Sequence, residues 1–344
     1  MSAGFVYDPI YQKHDTGQHV ENARRLESII SHLEQTGLKQ QLMPIEPRAA
    51  SVEELSAVHH KENIAHVHDV AQRGGGWLDP DTVMSPASYE AALYAAGGAI
   101  RATEAVISGE AESAFALVRP PGHHATPRRA MGFCLFNNVA VAANYALAKF
   151  DLERVAIIDF DVHHGNGTQE IFYDKPQVLY ISTHEYPFYP GTGDVDETGS
   201  GTAKGTTVNI PLRSGCGDDE YLKVFEEIVV PVTRRFNPQL VMVSAGYDAH
   251  RDDMLALMQV TTTGFARMVR IIKKLADELC GGRLVFSLEG GYNLDALAES
   301  VKATFEVLLG KVDIEDSLGQ SPRGSAGPDI ASLIMAIKEI HSLT

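Results

Sequence analysis

The chain of 344 residues is 44% hydrophobic, enough core for one large α/β domain or two modest ones. Its formal net charge of −16 disfavours direct nucleic-acid binding and would attract cationic substrates. No apolar run approaches the roughly 20 residues that span a bilayer, no basic-then-apolar signal opens the chain, and Cys134, Cys216 and Cys280 are too scattered for a disulfide framework, so a cytoplasmic protein without membrane attachment is expected.

Phe5-Val6-Tyr7 reads as a first short strand, and Glu21–Gln35 carries Ala23, Leu26, Ile30 and Leu33 at helical spacing. Ser51-Val52-Glu53-Glu54 is a capping box opening the next helix. Ser85-Pro86 predicts an N-cap and first-turn proline for a long alanine-rich helix stopped by Gly109. Apolar runs at Ala114–Val118, Arg154–Ile158, Val178–Ser182, Leu240–Ser244 and Arg283–Leu288 read as buried strands. Helical stretches separate the later ones: Asp218–Val230, Thr263–Leu279 closed by Gly281, and Leu294–Leu309 closed by Gly310. This alternation predicts a mainly parallel sheet with helices on both faces. Asp316–Pro328 is polar and rich in Gly, Ser and Pro, a surface linker to a last helix Ile330–His341. No internal repeat is present, and residues 1–344 are expected to form one domain.

Polar residues gather where the apolar runs end. The run ending at Ile158 is followed by Asp159-Phe160-Asp161-Val162-His163-His164-Gly165-Asn166-Gly167. Alternation along an extended chain places Asp159, Asp161 and His163 on one side. Carboxylate and imidazole together suit zinc or a similar divalent ion; capping aspartates and a satisfied histidine are the bland alternative. The other runs hand over to His123-His124, to Tyr247-Asp248-Ala249-His250 and to Glu289-Gly290-Gly291-Tyr292-Asn293. If the strands are parallel, all four loops meet at one sheet edge, where open α/β sheets bind ligands. Independent capping roles would not produce that coincidence.

These motifs, with Pro120-Pro121-Gly122-His123-His124-Ala125 and Ala245-Gly246-Tyr247-Asp248-Ala249-His250 written out, resemble the signature set of the zinc-dependent histone deacetylase family. That family includes bacterial deacetylase-like amidohydrolases and acetylpolyamine amidohydrolases. The resemblance runs from about Tyr7 to Leu309, and Asn166, where the class I branch has aspartate, points to the class II branch. It implies the arginase–deacetylase α/β fold with a mainly parallel eight-stranded sheet covered on both faces by helices.

The resemblance makes Asp161, His163 and Asp248 the ligands of one catalytic zinc ion per chain. It makes His124 the general base and acid, His123 its electrostatic partner, Asp159 and Asn166 the acceptors behind these two histidines, and Tyr292 the phenol that meets the oxyanion. Gly132, Phe133 and Tyr189 match the acyl-lysine tunnel, and Asp159, Asp161, His163 and Ser182 match a structural potassium site. Arg25 matches an internal channel arginine, with a surface salt bridge as the alternative. His164 and His250 read as neighbours of the site or surface groups, and His59, His60, His66 and His68 as solvated residues.

His19-Val20-Glu21-Asn22-Ala23-Arg24-Arg25 lacks the prolines common in the family's entrance loop, which can touch a neighbouring subunit in a homo-oligomer. The expected substrate is an acylated lysine in a peptide, with an acetylated polyamine as the alternative. One polyamine-preferring relative has glutamate seven places after the second metal aspartate; here that position is Leu255. A two-manganese ureohydrolase shares the fold, but it would need another acidic ligand where His164 stands.

Overall fold

The computed structural model describes residues 2–319 and 327–343. Its strands are β1 (Ala3–Val6), β2 (Met43–Ile45), β3 (Gly76–Trp77), β4 (Val83–Met84), β5 (Ser113–Ala116), β6 (Val155–Asp159), β7 (Val178–Glu185), β8 (Thr207–Leu212), β9 (Leu240–Ala245) and β10 (Leu284–Leu288). The helices are α1 (Arg24–Gln35), α2 (Val52–Ser56), α3 (Lys61–Gln72), α4 (Ser88–Ser108), α5 (Asn138–Lys149), α6 (Asn166–Phe172), α7 (Asp218–Val224), α8 (Val230–Phe236), α9 (Thr262–Cys280), α10 (Leu294–Leu308) and α11 (Ala331–Ile340).

Eight strands form one sheet in the order β2-β1-β5-β10-β9-β6-β7-β8, and every neighbouring pair is parallel. Every residue of β5, β6, β9 and β10 is buried, which requires cover on both faces of the sheet. Helices α4 and α5 pack on each other, as do α1 with α10 and α10 with α9. The chain builds one side of the sheet, crosses to build the other, and fills the middle last with β9 and β10. Ala116, Ser287, Ser244 and Asp159 therefore lie in one register row across β5, β10, β9 and β6. The four polar loops leave from that row.

Helix α1 begins at Arg24 rather than Glu21, and two further helix boundaries differ from expectation. Ser85 does not cap α4; its N–H donates to the Ser88 hydroxyl at 2.7 Å, and the helix begins at Ser88 after that turn. The helix expected to stop at Val230 continues to Phe236, because a π-helical segment, Phe225–Val229, precedes Pro231. The wider turn accommodates a residue that has no N–H to donate. The Ser51 capping box and the glycine stop of α9 at Gly281 (φ +64°) form as read. Of the expected linker, 320–326 lies outside the described residues. No helix among those described is long and apolar enough to cross a membrane.

The entrance stretch is anchored by charge rather than proline. Glu21 is fully buried and accepts from Arg119 Nη2 at 2.8 Å and Arg25 Nη1 at 3.2 Å, with His14 Nε2 at 3.4 Å. Arg25 is equally buried, donating also to the Gly291 carbonyl at 2.7 Å and the Glu289 carbonyl at 2.5 Å, so it is not a surface group. Burial alone would raise the Glu21 pKa, but the charge and hydrogen bonds of Arg119 hold it well below the usual carboxylate value of 4.5. A depressed carboxyl contributes stability that is fully present above its unfolded pKa and is lost as pH falls toward the folded one. Glu21→Gln leaves two buried guanidinium groups without their carboxylate and should cost about 3–5 kcal/mol. Thermal melts between about pH 3 and 7 should show the wild type losing its margin over the variant on acidification; equal melting temperatures at neutral pH would contradict this.

Candidate active site

The Asp161 carboxylate is seated by the Gly290 N–H, which donates to Oδ2 at 2.8 Å, and by the His163 N–H, which donates to Oδ1 at 2.9 Å. Asp248 Oδ1 accepts from Val162 N–H at 2.9 Å, tying the loop after β9 to the loop after β6. His163 Nδ1 lies 3.2 Å from both Asp161 Oδ1 and Asp248 Oδ2. All three residues are buried, and their ligand atoms lie within 4.8 Å of one another. A Cβ on Gly290 would collide with Asp248 Oδ2, so only glycine lets the backbone come this close.

Two carboxylate oxygens and one imidazole nitrogen converging on a point fit zinc, and three protein ligands leave a position open. Burial and the Asp161 charge push the Asp248 carboxyl up to about 6. Burial acts to lower His163, but its bonds to Asp161 and Asp248 carry it to about 10. A proton on that ring sits where a divalent cation would serve both carboxylates.

The tandem histidines follow β5. His123 Nδ1 lies 3.1 Å from Asp159 Oδ2, while His124 Nδ1 lies 2.8 Å from Asn166 Oδ1 at the start of α6. The amide oxygen only accepts, so His124 carries its proton on Nδ1 and keeps a lone pair on Nε2. Burial opposes charge on both rings. At His123 the carboxylates of Asp161 and Asp159 outweigh it and raise the pKa to about 10. At His124 burial and the adjacent His123 charge lower the pKa well below the ordinary value. The surroundings favour the charged form at His123 and the neutral form at His124.

These groups open onto a cavity of about 220 Å³ whose lining includes Gly132, Phe133, Tyr189, Leu255 and Tyr292. Gly132 has φ +58°, and a Cβ there would come within 2.5 Å of the His124 ring. Phe133 also takes a left-handed backbone (φ +68°), and its N–H donates to Thr82 Oγ1 in the turn between β3 and β4 at 3.0 Å. Tyr189 meets His124 edge to face with centroids 5.2 Å apart. Phe133 stands edge to face with Tyr292 at 5.8 Å and with His19 at 4.5 Å, so the proline-free entrance loop touches the cavity wall. Burial keeps the Tyr292 phenol well above its usual pKa, with Arg25 opposing.

Several contributors were not assigned from the sequence. Phe188 stacks on His163 at 5.4 Å, and Asp81 joins the cavity lining; an aromatic–proline run, Tyr186 to Pro190, is the available signal for the first. Glu289 Oε2 accepts from the Gly122 and His123 N–H groups at 2.7 and 3.1 Å, and Oε1 accepts from the Ser244 hydroxyl at 3.2 Å. Burial pushes its carboxyl up to about 7. Its sequence signal is a carboxylate closing an apolar strand.

Other histidines depart from expectation. His59 is buried, not solvated; it donates to the Thr126 carbonyl at 2.9 Å and accepts from Asn137 N–H at 2.9 Å. His60 and His66 are exposed and His68 is half-buried. His164 and His250 are both 1% exposed, which excludes a surface role. His164 bonds Thr192 and Gln169, and the described residues hold one metal-competent group, with no second cluster around His164.

The family model for the histone deacetylase domain matches residues 19–308. The chain belongs to the histone deacetylase family. A probable deacetylase of Archaeoglobus fulgidus is 44% identical over 298 residues, covering 86% of this chain and 82% of the relative. A histone deacetylase-like amidohydrolase of Pseudomonas aeruginosa is 42% identical over 291 residues, covering 84% and 75%. The crystal structure of the HDA15 HD domain superposes with a TM-score of 0.90 at 38% identity, covering 99% of this chain and 94% of that one. Histone deacetylase membership accounts for the parallel eight-stranded arginase–deacetylase sheet and makes the chain one of a family of deacetylases and amidohydrolases.

Proposed function

We propose that this deacetylase uses one zinc ion to remove acetyl or other acyl groups from the ε-amine of lysine in peptides. The observation that carries the reading is the meeting of the Asp161–His163–Asp248 group with the His123–His124 pair at the floor of an aromatic-walled cavity. Asp161, His163 and Asp248 would hold the zinc. When bound, zinc polarises the amide carbonyl and lowers the pKa of water toward ~7.

The protein's own groups do the rest. His124 Nε2 takes the proton from the attacking water, because its Nδ1–H is committed to Asn166, and delivers it to the leaving amine. His123, charged beside Asp159, stabilises negative charge building at the carbonyl. The Tyr292 hydroxyl donates to the same oxygen. Phe133 and Tyr189 flank the methylene stem, Gly132 offers its backbone, and Leu255 keeps that stretch of wall apolar. Asp159, Asp161, His163 and Ser182 would hold a potassium ion behind the site; Asp159 and Ser182 are register partners, and the Ser182 hydroxyl is buried.

Acetylated polyamine is the second reading, favoured by the Asp81 carboxylate in the cavity lining and the charge of −16. The test compares kcat/KM for acetyl-lysine peptides, longer acyl-lysines and acetylated putrescine, cadaverine and spermidine, with zinc supplied and Asp248→Ala as the metal-free control. The peptides should win. An acetylpolyamine preferred by more than about tenfold, ~1.4 kcal/mol of discrimination, would overturn the lysine assignment.

A further inference from the structure

We propose that Asp253 is a positioning residue that sets the placement of Tyr292 and affects turnover through that tyrosine's hydroxyl. The inference rests on the role proposed above for Tyr292. Asp253 follows β9 in the loop that also carries Asp248, and it is 7% exposed. Its Oδ2 accepts from the Tyr292 N–H at 2.6 Å and from the Asn293 N–H at 2.9 Å, while Oδ1 accepts from the Leu255 N–H at 2.9 Å. Leu255 and Tyr292 both line the cavity, so one carboxylate fixes two of its walls against each other.

The backbone before Tyr292 needs such a fixture. Gly290 and Gly291 precede it, and Gly291 sits at φ +114°, a conformation that suits glycine and brings no side chain to hold it. The ring touches Phe133 and lies beneath the Arg25 guanidinium at 5.1 Å, and Arg25 Nε donates at 2.7 Å to the carbonyl of the Gly291–Tyr292 peptide, whose N–H side Asp253 holds. The phenol oxygen is at the far end of the side chain, so a small backbone rotation becomes a large displacement of the donor. A misplacement of about 1 Å can cost on the order of 10²-fold in rate.

Capping of α10 is a separate matter. Asn293 is the N-cap residue, and its own Oδ1 accepts from the Ala296 N–H at 3.1 Å. Asp253 adds a negative charge at that helix end, which suits the dipole, but the orphan donor inside the helix is already served.

The test is a double-mutant cycle on the zinc-loaded full chain, using Asp253→Asn, Tyr292→Phe and the double variant with an acetyl-lysine peptide. Asp253→Asn should lower kcat by about tenfold or more, with KM within about twofold and one zinc per chain retained. On the Tyr292→Phe background the same substitution should cost less than about twofold, because the hydroxyl it positions is gone. Full additivity of the two losses, a loss confined to KM, or an Asp253→Asn protein that does not fold would each overturn the proposal. If Tyr292→Phe alone is harmless, the reading of Tyr292 falls with it. A crippled Tyr292→Phe with additive losses defeats only the Asp253 coupling.

Discussion

Tyr292→Phe is expected to leave a folded protein with its metal and to cut turnover by roughly 10²–10³-fold, the cost typical of deleting one oxyanion donor. The substitution removes only a hydroxyl. The ring keeps its edge-to-face contact with Phe133 and its place under Arg25, so packing survives. Burial holds the phenol pKa far above neutrality, so the hydroxyl is protonated and able to donate throughout the working pH range. Steady-state kinetics on an acetyl-lysine peptide, with melting temperature and zinc content measured on the same samples, decide the matter. Near-full turnover would remove Tyr292 from the oxyanion role.

His124→Ala should be at least as damaging, about 10²–10⁴-fold in kcat, because the base and acid roles both fall on one ring. On the proposed mechanism that role belongs to His124. Its Nδ1 is engaged by a neutral amide and its environment disfavours charge, whereas His123 faces Asp159 directly and lies 3.7 Å from Asp161. A charged His123 has no lone pair with which to take a proton. His124→Ala should keep its zinc, since the ring is not part of the Asp161–His163–Asp248 group. Single-turnover measurements showing normal chemistry in that variant would shift the base to another group.

The central strands were legible because a strand buried on both faces reads as an unbroken apolar run, as at Val155–Asp159 and Leu240–Ala245. The edge strands were not. β2 is Met43-Pro44-Ile45, short and with a proline, and β8 carries Pro211 and a polar Asn209. The stretches that carry Asp161, His163 and Asp248 stood out because each follows such a run closely, and the family resemblance is what singles out these three as ligands. Glu289, Asp253 and Glu21 could not be assigned from spacing. They act through bonds to distant chain, such as Glu289 to Gly122 across 167 positions, and nothing local records those pairings. His59 was misjudged for the same reason: its partners Thr126 and Asn137 come from another part of the chain.

The order in which the sheet is filled bears on how the enzyme comes into being. On a ribosome, the flanks β2-β1-β5 and β6-β7-β8 emerge first, and the strands that join them, β9 and β10, emerge last. A nascent chain that has reached Asn237 carries Asp161 and His163 but neither Asp248 nor Tyr292. It has two of the three residues of the metal-competent group, both after β6, and an unfilled gap of strand edges between its two flanks. Such long-range closure is slow, and exposed edges invite association until it is complete. On the proposed mechanism, catalytic competence waits for these final strands, because Asp248 follows β9 and Tyr292 follows β10.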